Sequence, residues 1–242
     1  MSILSSAIKY RNIKRVVITS SIVAILSENE ASGGSTSPIS SFTRVTPLPV
    51  APFNDYTPST AYLASKALSL DATDKFVKNK KPHFSVVNIM PGFVFGRNEL
   101  AQDTNALVSG SNALVLGIVL NFESFLPGKL PLMVTHIQDV ARVQIKALDE
   151  KKVALSAGES RSFLLDGECK SNGIDFDDAN DIVRRAFPEA VKEGKLKLGG
   201  RLEVSMLNIE SAETVETFGK LRSYEDAVRS VVGQYLELLA KE

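Results

Sequence analysis

Two short motifs in this chain supply a hydroxyl, a phenol and an ammonium: Thr19-Ser20-Ser21, ending a β-branched run, and Tyr62-Leu63-Ala64-Ser65-Lys66. Those are the groups needed to move a proton onto or off a carbonyl oxygen. Tyr62 and Lys66 stand four positions apart, so a helix would bring them to one face about one turn apart. An ammonium beside a phenol stabilises the phenolate and draws a weak acid, of ordinary pKa about 10, towards working pH. General acid–base catalysis needs that match. Ser21 is the candidate hydroxyl, with Thr19 and Ser20 as competitors. A Tyr and a Lys at this spacing arise often by chance, so the surrounding elements must carry the argument.

Positioning these groups takes strands and helices in a fixed order. Residues 2–11 read as the end of an amphipathic helix with Ile3, Leu4, Ala7 and Ile8 on one side. Lys14 to Ser21 reads as a buried parallel strand followed by a site loop. Residues 27–59 are rich in Ser, Thr and Pro; a loop of that length serves as a lid or a flexible insert. Ser59 or Thr60 would cap the next helix, which carries Tyr62 and Lys66 towards Asn79. Phe84 to Met90 is a second buried strand, stopped by Pro91-Gly92.

Further along, an apolar helix is expected near Ala113–Leu120, then a strand from Leu132 to Ile137 and a helix opened by Asp139. Arg161 to Leu165 reads as a strand, and Phe176 to Phe187 and Ser211 to Phe218 as helices, the latter closed by Gly219. Ser223 with Asp226 forms a capping box for the last helix. Strands alternating with helices predict an α/β layer structure with a parallel sheet. The expected division is a Rossmann-like portion over 1–150, carrying the site motifs, and a smaller mixed substrate lobe over 151–242.

Composition removes several function classes. Hydrophobic residues make up 44% and charged residues 23%, enough for a sizeable core. Twenty-eight basic and 28 acidic residues balance, so nothing steers the chain to nucleic acid or an anionic membrane. No apolar run is long enough to span a bilayer and no secretory signal opens the chain, which leads to a cytoplasmic expectation. Cys169 is the sole cysteine and fits a reducing compartment. With His83 and His136 the only histidines, ligands for zinc are too few.

With these motifs in order, the chain resembles the extended short-chain dehydrogenase/reductases, the NAD(P)-dependent epimerase/dehydratase group. The resemblance is greatest to the fungal and plant ketone, aldehyde and dihydroflavonol reductases. It rests on RVVITSS (15–21), YLASK (62–66), PGFVFG (91–96), THIQDVARVQIKAL (135–148) and the closing stretch TFGKLRSYEDAVRSVVGQYLEL. The resemblance implies that Ser21 holds a substrate carbonyl, Tyr62 donates the proton, and Lys66 assists it and holds the nicotinamide ribose. It implies that Pro91, Gly92 and Val94 line a nicotinamide pocket with Ser20 as a backbone neighbour. The implied cofactor is NADPH, the implied partner a small carbonyl compound, and the implied setting secondary metabolism.

One family feature is missing. The glycine fingerprint that receives a pyrophosphate should precede the serine by about a hundred residues, whereas Ser21 lies near Met1. Gly33-Gly34 does not sit between a strand and a helix and is no substitute. The expectation is an N-terminally truncated member, inactive alone if the loop is indispensable, with an unpaired sheet edge at RVVIT that recruits a second copy or another partner. A non-catalytic binding remnant and an epimerase or dehydratase are the alternatives.

Other side chains have structural readings. His136 is read as a packed core histidine rather than a base, His83 as a surface loop residue, and Asp139 as a helix cap rather than an acid. Asp177, Asp178 and Asp181 are read as helix-start acids, with no metal. Phe93 and Phe95 suit a pocket or a core equally.

Overall fold

The alternation of β-branched runs with Ala-, Leu- and Lys-rich segments folds as an α/β structure with parallel strand pairing. The computed structural model describes residues 2–31, 37–45, 56–122, 129–167 and 175–242. Cys169, Gly33-Gly34 and parts of the 27–59 segment lie outside the described residues.

Helix α1 (Ser2–Ala7) precedes strand β1 (Arg15–Thr19), a 3-10 turn (Ile22–Ile25), α2 (Glu28–Ala31) and β2 (Pro38–Ile39). The long helix α3 (Pro58–Lys80) leads to β3 (Ser85–Pro91), β4 (Phe93–Phe95), α4 (Thr104–Leu107) and α5 (Asn112–Val119). Then come β5 (Leu130–Leu132), β6 (Val134–His136), α6 (Ile137–Lys146) and β7 (Ser160–Leu165). A 3-10 turn (Phe176–Asp178) opens the last stretch: α7 (Ala179–Ala186), α8 (Pro188–Lys192), β8 (Val204–Met206), β9 (Asn208–Ile209), α9 (Ala212–Phe218) and α10 (Tyr224–Leu239).

The main sheet has the order β1-β3-β7, parallel throughout. Every residue of β3 is buried, and its alternate side chains enter opposite layers. Val86 packs with Leu4, Ala7, Phe76 and Val77 beneath α1 and α3, whereas Val87 and Ile89 pack with Val143 of α6 and with Ala147, which caps its C-terminus. Among the described residues β1 is an edge strand whose neighbour is β3. A further layer gathers α5, α7 and α10 around Phe95, Phe176 and Tyr224, and the Tyr224 hydroxyl donates to the Phe176 carbonyl at 2.9 Å. No described helix is long and apolar enough to cross a membrane.

Several boundaries differ from the sequence reading. Thr57, not Ser59 or Thr60, caps α3; its Oγ accepts from Thr60 N at 3.2 Å, and Pro58 follows at the first helical position. Proline favours that position because its missing N–H would be orphaned there anyway. The 132–137 strand is broken at Met133 into β5 and β6, which pair with β8 and β4 respectively. β3 ends at Pro91 as expected, and past the Gly92 bend the chain enters the short strand β4. The Phe176 helix begins as a 3-10 turn before α7. The Ser223–Asp226 capping box is present.

Candidate active site

β1 and β3 are adjacent and parallel, so both release the chain at one edge of the sheet, where open α/β sheets bind ligands. Past β1, Ser20 N donates to Ile89 O at 2.7 Å and extends the ladder by one residue. Ser21 is extended (φ −163°, ψ 153°) and caps the first 3-10 turn. Its Oγ accepts from Val23 N at 3.4 Å and donates to Pro91 O at 3.5 Å. Both contacts are long, so the buried hydroxyl is oriented but weakly engaged.

Past β3, the chain bends at Gly92. Gly92 N donates to Thr135 Oγ1 at 2.9 Å and to Leu165 O at 3.2 Å, and Phe93 N donates to Met133 O at 2.9 Å. A Cβ at Gly92 would stand 2.7 Å from Met133 O, so only glycine fits between these strands. Phe93 faces the cavity described below, stacked on Phe95 with centroids 6.4 Å apart, while Phe95 is fully buried against Phe176. The two rings thus divide between pocket and core.

The first turns of α3 present Tyr62 and Lys66 on one side. Lys66 Nζ stands 5.5 Å from the Tyr62 ring centroid, within cation–π range. Tyr62 is 50% exposed, which leaves the phenol accessible to a ligand. Ser20, Ser21, Tyr62, Lys66, Pro91, Gly92 and Val94 all line one cavity of about 520 Å³, an ordinary volume for a small-molecule site. Thr19 lines it too, and its Oγ1 accepts from Gln144 Nε2.

The rest of the wall is Val23, Gly110, Ser111, Leu114, Leu130 and Met133, none of which the sequence singled out individually. They come from separate elements that the fold assembles, and no local spacing links them. Among the described lining residues Lys66 alone is charged.

The remaining titratable candidates fall outside this cavity. His136 caps α6, its Nδ1 accepting from Gln138 N at 3.1 Å. Burial, and then the nearby Arg222 guanidinium, hold its pKa below the usual histidine value despite Asp139 and Asp226. Asp139 is therefore not the cap of its helix. It is buried and accepts from Arg142 Nη2 at 2.8 Å, Arg222 Nη1 at 3.0 Å and Arg222 N at 2.6 Å. His83 Nε2 lies 3.0 Å from Tyr10 O. Asp175 and Asp178 form a capping box, and Asp177 accepts from Leu202 N at 2.9 Å. No cluster of His, Cys, Asp or Glu among the described residues has the makings of a metal site.

No protein-family model matches the chain. A ketoreductase of Cercospora beticola is 34% identical over 248 aligned positions, covering 100% of this chain and 66% of that protein. An NAD-dependent epimerase/dehydratase of Alternaria alternata is 36% identical over 200 positions, covering 80% of this chain and 54% of that protein. The chain thus spans less than two thirds of the length of these curated relatives. Among solved structures, the yeast methylglyoxal/isovaleraldehyde reductase complexed with NADPH superposes with a TM-score of 0.72 at 20% identity, covering 99% of this chain and 69% of that one. That likeness shows a shared fold. The fold, the ordered motifs and these relatives agree: the chain belongs to the extended short-chain dehydrogenase/reductases, the NAD-dependent epimerase/dehydratase group.

Proposed function

We propose that the chain carries the substrate-side machinery of an oxidoreductase that reduces a ketone or aldehyde to an alcohol with NADPH. One observation carries the reading: a hydroxyl, a phenol and an ammonium from two separate elements line a single cavity with the Pro91–Val94 bend. Relatives named ketoreductase and a structural neighbour complexed with NADPH support it.

The donor set suits the nicotinamide end of such a cofactor. Lys66 and Tyr62 would hold the ribose, and Ser20, Pro91, Gly92 and Val94 would border the ring. The described residues contain no glycine-rich strand-to-helix turn to take a pyrophosphate. Bound NADPH would supply the hydride. The Ser21 hydroxyl would turn from Pro91 O to donate to the substrate carbonyl and fix its face. The Tyr62 hydroxyl would give its proton to the same oxygen as negative charge develops there, and Lys66 would stabilise the phenolate left behind.

The lining favours this reading over sugar-nucleotide epimerisation. A nucleoside diphosphate brings several negative charges, and one lysine is a thin counter-charge. Calorimetric titration of NADPH into the wild type and into a Tyr62→Phe, Lys66→Ala double variant tests the cofactor assignment. Micromolar binding weakened at least about ten-fold by the double substitution supports it. Equal binding by both proteins, or none at millimolar cofactor, counts against it.

A further inference from the structure

Ser111 stands at the N-cap position of α5 yet its side chain caps nothing. A serine there ordinarily accepts from one of the first helical N–H groups. Here the backbone of Ser111 is already helical (φ −64°, ψ −33°). The N–H groups of Ala113 and Leu114 go instead to the carbonyl oxygens of Gly110 and Ser111, at 3.2 and 3.0 Å. The hydroxyl is thereby released from the helix, on a half-buried residue that lines the cavity.

The same cavity is lined by the apolar side chains of Val23, Leu114, Leu130 and Met133. Gly110, just before Ser111, has φ +63°, and nothing lies within 4 Å of where a Cβ would stand, so the turn preceding Ser111 is open on that side. A hydroxyl on an apolar wall loses its water when a ligand fills the cavity, and that loss is costly unless the ligand offers a hydrogen bond in return.

We propose that Ser111 is a substrate-recognition residue. Its hydroxyl bonds a second oxygen function, a carbonyl or hydroxyl, on a neutral ketone whose hydrocarbon body lies against Val23, Leu114, Leu130 and Met133. The inference rests on the carbonyl-reduction reading for the reacting group at Ser21 and Tyr62. It narrows the substrate class from ketones at large to uncharged, oxygenated, otherwise apolar ones. A site that hydrogen-bonds a substrate group discriminates against the analogue lacking it.

The test reads binding rather than turnover, so that it fails separately from the reductase reading. Octan-2-one, octane-2,4-dione, octane-2,5-dione and octane-2,6-dione are titrated into the full chain by ligand-observed NMR, with and without NADP⁺. Wild type, Ser111→Ala and Ser111→Thr are compared, with circular dichroism to verify folding. At least one dione should bind the wild type about five-fold tighter than octan-2-one, the worth of one net hydrogen bond. That preference should vanish in Ser111→Ala and persist in Ser111→Thr, which keeps the hydroxyl. A wild type with no dione preference, or a preference that survives in Ser111→Ala, overturns the proposal.

Discussion

The Ser21 hydroxyl oxygen lies 3.5 Å from the Pro91 carbonyl oxygen, across the exits of two parallel strands. Register sets this meeting. Thr19 is level with Ile89 in the β1–β3 ladder, so the residues two further on, Ser21 and Pro91, are level as well. The contact is long, and exchanging it for a substrate carbonyl costs little.

Ser21→Ala should therefore lower carbonyl reduction about a hundred-fold, the usual loss on removing one preorganised donor. The fold should survive, because the 3-10 turn keeps its backbone bond from Ala24 N to Ser21 O. Steady-state kinetics with thermal melts as a control would check both halves. Undiminished turnover would assign the role to Thr19 or Ser20.

Gly92→Ala should destabilise the protein by about 1–3 kcal/mol through overpacking. The new Cβ would meet Met133 O at 2.7 Å, and that oxygen belongs to backbone anchored by its bond from Phe93 N. For a chain of this size the melting temperature should drop by about 2–4 °C per kcal/mol. An unchanged melting temperature would mean that the β3–β4 bend yields more readily than the close approach suggests.

Asp139→Ala should cost about 1–3 kcal/mol, the loss expected when hydrogen bonds to a buried carboxylate are removed and its partly exposed arginine partners regain water. It strips acceptors from Arg142, from the Arg222 guanidinium and from Arg222 N, loosening the join between α6 and the start of α10. Urea denaturation would measure it.

Stability should also fall in mild acid because of His136. Burial, followed by the Arg222 charge, lowers its pKa in the folded state. Between the two pKa values the unfolded chain binds more protons than the folded one. Stability from this group is thus complete above about pH 6.5 and is lost as pH drops through that value towards the folded-state pKa. His136→Asn keeps a capping acceptor and removes the titration. Its urea midpoint should change less than that of the wild type between about pH 7.5 and 5.5; equal changes would assign the pH dependence to other groups.

Much of this architecture was legible because its signals are local. The β-branched run at 15–19, the mainly apolar run around Val86 and Ile89 and the apolar Phe163–Leu165 end of the 160–165 segment became the sheet. Tyr62 and Lys66 shared a helix face as their spacing required. The α3 cap was misread although Pro58, by its preference for the first helical turn, pointed to Thr57. Other features carry no local signal. The pairing of β2 with β9 joins segments far apart in sequence. Arg15 looks like the polar start of an apolar strand. It is buried, and its guanidinium reaches Ser85 Oγ at 2.9 Å and the carbonyl oxygens of Ala147 and Val153 at 2.9 and 2.7 Å. The apolar wall of the cavity, from Val23 to Met133, likewise exists only once the sheet exits are assembled.

The most direct test of the account is NADPH-dependent conversion of a ketone to its alcohol, quantified as alcohol formed, by the wild type and by Tyr62→Phe at equal protein. Tyr62 is half-exposed, so removing its hydroxyl should leave the fold intact. The account predicts alcohol formation that falls at least about a hundred-fold in Tyr62→Phe, as loss of a general acid requires. Equal rates for the two proteins, or no alcohol from either across a panel of neutral ketones with NADPH saturating, would contradict it.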